Sequence, residues 1–155
     1  MNLEQNFDVT IITQNVDDLH ERAGSTDIVH LHGELLKVRS TQNQQLIYNW
    51  RTNLKIGDLC EENHQLRPHI VWFGEAVPML DKAIKITAEA DILIIIGTSM
   101  QVYPAASLIN YIKSKTPIYF IDPKPTIEEN QYSNLKIITE IASKGVAKIV
   151  NELVQ

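Results

Sequence analysis

Two amides and two carboxylates follow a β-branched run in Thr13-Gln14-Asn15-Val16-Asp17-Asp18. Such side chains cap helices by accepting backbone N–H bonds, and they equally hydrogen-bond an amide or sugar ligand, so the segment alone leaves both readings open. In His30-Leu31-His32-Gly33-Glu34 the two imidazoles share one strand face by the period of two. A zinc site needs more ligands than this pair, and no third well-spaced one accompanies it, so no metal is expected there. His32 suits a general base, because imidazole titrates near neutrality and Gly33 leaves room for a ligand; a purely structural histidine fits as well. Gly97-Thr98-Ser99 follows the apolar run Ile92 to Ile96. It offers N–H groups and hydroxyls to a phosphate or ribose, or it is a simple turn. Asp122-Pro123-Lys124-Pro125 also follows a strand, where nucleotide folds hold ribose hydroxyls on a carboxylate. Cys60 and His64 are two ligands short of a metal site, and Trp50 and Trp72 read as packing residues.

The elements that must position these loops alternate along the chain. Strands are expected at Val9 to Thr13, Ile28 to Leu31, Ile70 to Phe73, Ile92 to Ile96, Ile118 to Ile121 and Leu135 to Thr139. Between them, Asn15 to Ala23 carries helix formers up to a stop at Gly24. Met79 to Ala90 and Ala105 to Lys113 read as helices, and Ser143 to Leu153 as a closing helix with Ser143 as N-cap. The pattern lapses from Lys37 to Arg67, which reads as an inserted small module. Strand and helix alternation implies an α/β fold, a Rossmann-like parallel sheet with helices on both faces. Its ligands lie at the carboxyl ends of the strands.

Composition narrows the function. With 155 residues and 44% apolar content, one domain can bury a core. A net charge of −5 argues against general binding to nucleic acid or anionic membrane, which requires excess Lys and Arg. One cysteine excludes an intramolecular disulfide and fits a reducing compartment. Neither a spanning apolar run nor a signal-peptide start is present, so a cytoplasmic protein is expected. The six glycines are too widely spaced for a phosphate-cradling glycine loop.

Taken in order, Thr13 to Gly24, His30 to Glu34, Arg67-Pro68-His69-Ile70-Val71-Trp72-Phe73-Gly74-Glu75, and Gly97-Thr98-Ser99 with Val102-Tyr103-Pro104-Ala105 resemble the sirtuin family of NAD-dependent protein lysine deacylases. The motifs span nearly the whole chain. Residues 1–155 are similar to a sirtuin catalytic domain that is partial, because the family's opening strand, Gly-Ala-Gly-x-Ser loop and Phe-Arg loop have no counterpart among them. Residues 37–67 match a module that usually holds a four-cysteine zinc. With only Cys60 available that zinc is not expected, and packing of residues such as Trp50, Leu54, Ile56 and Leu59 would hold the insert instead.

The resemblance implies NAD-dependent removal of acetyl or other acyl groups from protein lysines, giving nicotinamide and O-acyl-ADP-ribose. His32 matches the catalytic base that deprotonates a ribose hydroxyl, with Asn15 orienting water or ribose. Gln14, Asn15, Val16 and Asp17 match the nicotinamide and ribose side of the NAD site. Gly97, Thr98, Ser99, Asp122, Pro123, Lys124 and Ala142 match the phosphate and adenosine side, although the family usually has Asn at the position of Asp122. Val71 and Phe73 match the walls of the acyl-lysine tunnel, and Gly74 and Glu75 the strip that pairs with substrate backbone. A nucleotide-binding module without turnover and an NAD-dependent protein ADP-ribosyltransferase are the alternatives.

Overall fold

The computed structural model describes residues 3–155. The chain is α/β and divides into two units, Thr10–Met79, and Met1–Val9 with Leu80–Gln155. Among the described residues no helix is long and apolar enough to cross a membrane.

In the Thr10–Met79 unit, β1 (Ile11–Thr13) runs parallel to β2 (Ile28–His30), with Ile11 opposite Ile28 and Thr13 opposite His30. The connecting helix α1 is a single turn, Leu19–Arg22, shorter than the helix formers of Asn15 to Ala23 imply. The reason lies in the carbonyls. Those of Asn15 and Val16 accept bonds from His30 Nδ1 at 3.3 Å and from the Leu35 N–H at 2.7 Å, so neither is available as an i to i+4 helix acceptor.

The chain then enters an antiparallel sheet in which β3 (Gly33–Ser40) lies between β4 (Ile47–Asn49) and β5 (Leu66–Ile70). The region that reads as an irregular insert is therefore built on a long strand. Its own core consists of buried Val38, Cys60 and Leu66, flanked by Leu46, Tyr48, Trp50 and Leu54. Trp50 and Leu54 pack as expected, whereas Ile56 is 100% exposed and Leu59 is 50% exposed. In place of those two side chains, Gln65 fastens the loop. Its Nε2 reaches the carbonyls of Lys55, Asp58 and Leu66 at 3.0–3.1 Å, and its Oε1 accepts the Gly57 N–H at 2.8 Å. β5 stops at Ile70 rather than starting there, because Glu75 folds the chain back: its carboxylate accepts the Trp72 N–H at 3.0 Å and its own N–H binds the Trp72 carbonyl.

In the second unit, α2 (Leu80–Glu89) buries Ala83 and Thr87. Strands β6 (Leu93–Ile96), β7 (Ile118–Ile121) and β8 (Leu135–Ile138) form a parallel sheet with β7 central. Phe120, Ile118 and Ile121 on β7 are buried, as a strand paired on both edges and covered on its faces requires. The segment from Ala105 is a 3-10 helix ending at Tyr111 rather than a longer α-helix; the Pro104 carbonyl takes both the N–H and the hydroxyl of Ser107, which tightens the turn. Helix α3 (Ala142–Val154) begins before Ser143, with Ile141 at the N-cap position: the N–H groups of Lys144 and Gly145 both close on the Ile141 carbonyl. Gly145 is a close-approach residue, since a β-carbon there would overlap Ile121 Cγ2 on β7. The described parallel strands thus fall into two hydrogen-bonded sheets, β1–β2 and β6–β7–β8, rather than one.

Candidate active site

Three successive carbonyls of the loop after β1 face the end of β2 and the segment that follows it. Gln14 O lies 3.2 Å from His32 Nδ1, Asn15 O lies 3.3 Å from His30 Nδ1, and Val16 O accepts the Leu35 N–H at 2.7 Å. Thr13, buried at the end of β1, adds a bond from the Asn15 N–H to its Oγ1 at 3.1 Å. The backbone of Gln14 to Val16 is therefore committed inward, and the Asn15 side chain is exposed and caps nothing. The capping function falls to Asp17, whose Oδ1 accepts the Leu19 N–H at 3.1 Å.

A carbonyl oxygen only accepts, so the His32 contact to Gln14 places the ring proton on Nδ1 and the lone pair on Nε2. That is the tautomer a general base needs. The histidine's own carbonyl accepts the Val71 N–H at 2.9 Å, which seats Val71 beside the His32 backbone. Of the next two residues, Trp72 is 56% and Phe73 is 99% exposed, and Gly74 has φ +88°. This apolar turn is held from beneath by Glu75, which receives Arg67 Nη1 at 2.6 Å and both Arg67 Nη2 and Arg39 Nη2 at 3.3 Å. The Arg67 guanidinium, with the Trp72 N–H and Arg39, holds the Glu75 carboxyl below its ordinary range. The Glu75 side chain and its N–H are thus both occupied within the protein.

Gly33 has a different role from the one its sequence position implies. It does not leave space for a ligand: with φ +86°, its missing β-carbon lets the His69 carbonyl approach from β5. His30 and His32 also part company. His30 Nε2 lies 2.7 Å from Glu21 Oε1, and Glu21, His30 and Glu34 bring donor atoms within 4.8 Å of one another, a cluster without His32. Spacing hid this group, because Glu21 comes from α1 and Glu34 from β3.

The second unit gathers the remaining candidates at the carboxyl ends of its strands. Register pairs Ile96 with Ile121 and Ile121 with Ile138, so the loops beginning at Gly97, Asp122 and Thr139 emerge side by side. Gly97 has φ +60° and donates its N–H to the Ile121 carbonyl at 2.9 Å. Thr98 Oγ1 accepts the Met100 N–H at 3.2 Å, and the Ser99 carbonyl accepts the Thr126 hydroxyl at 2.9 Å. Asp122 Oδ1 accepts the Lys124 N–H at 2.7 Å across Pro123, an Asx turn. Ala142 is exposed at the first position of α3. The sequence candidates therefore form two sets, one on each unit.

The Sir2 family profile matches residues 1–104. An NAD-dependent protein deacylase of Helicobacter pylori is 52% identical over 153 residues, covering 99% of this chain and 66% of its own length. One from Bacteroides thetaiotaomicron is 48% identical over 158 residues, covering 98% of this chain and 67% of its own length. Among solved structures, a Sir2 homolog–NAD complex superposes with a TM-score of 0.83 at 35% identity, covering 99% of this chain and 61% of that one. A Sir2–p53 peptide–NAD+ complex gives a TM-score of 0.78 at 26% identity, covering 98% and 66%. The chain thus spans just under two thirds of the Helicobacter pylori relative it matches.

Proposed function

Because this chain belongs to the Sir2 family, we propose that residues 1–155 are the catalytic and C-terminal portion of an NAD-dependent protein deacylase. It acts on acylated lysine side chains of proteins and yields nicotinamide and O-acyl-ADP-ribose. The observation that carries this reading is the wiring of His32, with Nδ1–H given to the Gln14 carbonyl and Nε2 left with a lone pair. Each unit carries groups suited to such a cofactor: on one, the exposed Asn15 amide and the half-buried Asp17 carboxylate in the loop that holds His32; on the other, a positive-φ glycine with two hydroxyl residues at the end of β6.

NAD, when bound, supplies an electrophilic anomeric carbon and a ribose hydroxyl as nucleophile. His32 Nε2 accepts the proton of that hydroxyl. Asn15 orients water or ribose with an uncharged amide, which adds no charge to a cationic transition state. Gln14 and Val16 line the ribose side, and Asp17 accepts from a carboxamide with the oxygen that Leu19 leaves free. Val71 and Phe73 flank the acyl-lysine stem, while the backbone of Gly74 and the Glu75 carbonyl pair with the peptide. Gly97, Thr98, Ser99, Asp122, Pro123, Lys124 and Ala142 hold the phosphate and adenosine side. Residues 37–67 form the inserted module, whose core and Gln65 bonds support order without a four-cysteine zinc. The acidic charge supports a protein substrate over nucleic acid or membrane, and the free, buried Cys60 supports a cytoplasmic setting.

A second reading has its own support. The six glycines include no phosphate-cradling loop, which favours adenosine binding without turnover in these 155 residues. Nicotinamide release from NAD with an acetyl-lysine peptide separates the two. Turnover that falls by about 10²–10⁴-fold in His32→Ala supports the deacylase reading. Full turnover in that variant refutes His32 as the base, and calorimetric NAD binding with no turnover in the unaltered chain supports the second reading.

A further inference from the structure

One cluster of the Thr10–Met79 unit is left unused by the proposed reaction. Glu21 from α1, His30 from the end of β2 and Glu34 from β3 each offer one donor atom, all within 4.8 Å of one another. The His30 side chain is only 8% exposed, and both its ring nitrogens face oxygens: Asn15 O at 3.3 Å from Nδ1, and Glu21 Oε1 at 2.7 Å from Nε2. A neutral imidazole has one N–H. With that proton given to the Asn15 carbonyl, the Nε2 lone pair faces a carboxylate, and the 2.7 Å contact requires a cation there, either a second ring proton or a metal ion. A backbone carbonyl on one nitrogen is also how proteins fix the tautomer and ring plane of a metal-ligating histidine.

The surroundings point the same way. Glu21, His30, Glu34, Lys37 and His69 line a cavity of about 260 Å³. His69 Nδ1 is buried and has no hydrogen-bond partner among the described residues, an unmet polar atom of the kind that a bound ion or its water satisfies. Lys37 Nζ lies 2.8 Å from Glu34 Oε2 and stands as the resident competitor for that carboxylate.

We propose that Glu21, His30 and Glu34 form a divalent transition-metal site, with one imidazole nitrogen and two carboxylate oxygens as ligands and water completing the shell. One nitrogen with two oxygens suits zinc and its neighbours, whereas calcium and magnesium prefer oxygen alone. The site uses no cysteine, so the cysteine count that argues against the four-thiolate zinc has no bearing on it. It stands on this unit alone and is independent of the deacylase reading.

Equilibrium dialysis of the 155-residue chain against zinc tests it, with cobalt absorption as a second readout. One zinc per chain is expected, undiminished in Cys60→Ala, together with cobalt bands of a low-coordinate nitrogen and oxygen site. Glu21→Gln and Glu34→Gln should each weaken zinc by about tenfold or more, and Lys37→Gln should tighten it by removing the competitor. Substoichiometric zinc, full affinity in both carboxylate variants, or zinc lost with Cys60→Ala would overturn the assignment. The cobalt spectrum of the unaltered chain decides the matter even where a variant fails to fold.

Discussion

The two units draw on packing and on side-chain hydrogen bonds in different proportion. Thr10–Met79 is wired: side chains of His30, His32, Ser40, Gln65 and Glu75 bond to backbone or to one another and fix loops that have little apolar cover. The Leu80–Gln155 portion is packed, with Ile118, Phe120, Ile121 and Ile149 fully or almost fully buried across β7 and α3. Packing is non-directional and sets how stable the unit is. Wiring adds little net free energy per bond and instead fixes where atoms point. The proposed base lies on the wired side, where one ring nitrogen must be held within a hydrogen bond of its carbonyl.

Truncating the packed side should have the largest effect. Phe120→Ala, at a fully buried position on the central strand, should lower stability by about 3–5 kcal/mol, read as a shift in the urea midpoint. A loss below about 1 kcal/mol would show that the apolar core does not dominate this unit. Gly33→Ala strikes the wired side where backbones touch, and the strained φ alone should cost about 1–3 kcal/mol. Its overlap with the His69 carbonyl should also displace β5 and with it Val71, so nicotinamide release should fall further than stability does. Equal losses in both would erase the contrast drawn here.

Gln65→Ala should be local. Gly57 and Lys55 lie at the surface, where water takes over the lost bonds, so the cost should be about 0.5–1.5 kcal/mol. Amide exchange should quicken around 55–66 and stay unchanged on β6 to β8; uniform quickening would mean that the loop is coupled to the whole chain. The smallest effect is in the pH profile. Desolvation and the nearby Arg39 charge lower the His69 pKa below its ordinary 6.5, so the unfolded chain binds that proton first and stability declines as pH falls below 6.5. Glu75 is held below its ordinary 4.5 by Arg67, so its contribution is full above 4.5 and fades as pH drops through its lowered value. Glu75→Gln should remove only the second decline, measured by urea unfolding at stepped pH.

The contrast also explains what the sequence made legible. Strands β6, β7 and β8 stand out as apolar runs because packing writes itself into composition: Leu93 to Ile96 and Ile118 to Ile121 carry no charge. The sheet of β3, β4 and β5 did not stand out, since Arg39 and Ser40 are buried polar residues on β3 and break the alternation that marks a strand. Motif resemblance proposes His32, Asn15 and Val71 as site residues without showing how they are held. The ties to Gln14 O and from the Val71 N–H run through backbone atoms that every residue possesses, so no residue type signals them. Glu21 and Glu34 escaped for a related reason: their nearness to His30 follows from the parallel pairing of β1 and β2, not from any spacing along the chain.

The Gln65 amide carries a consequence of another kind. A loop fastened by a metal is only as ordered as its cell's metal supply, and it loosens under oxidants and chelators that attack the ligands. Gln65 arrives with the chain and has no redox chemistry, so its hold on the loop around Lys55 and Asp58 depends on neither metal supply nor redox state.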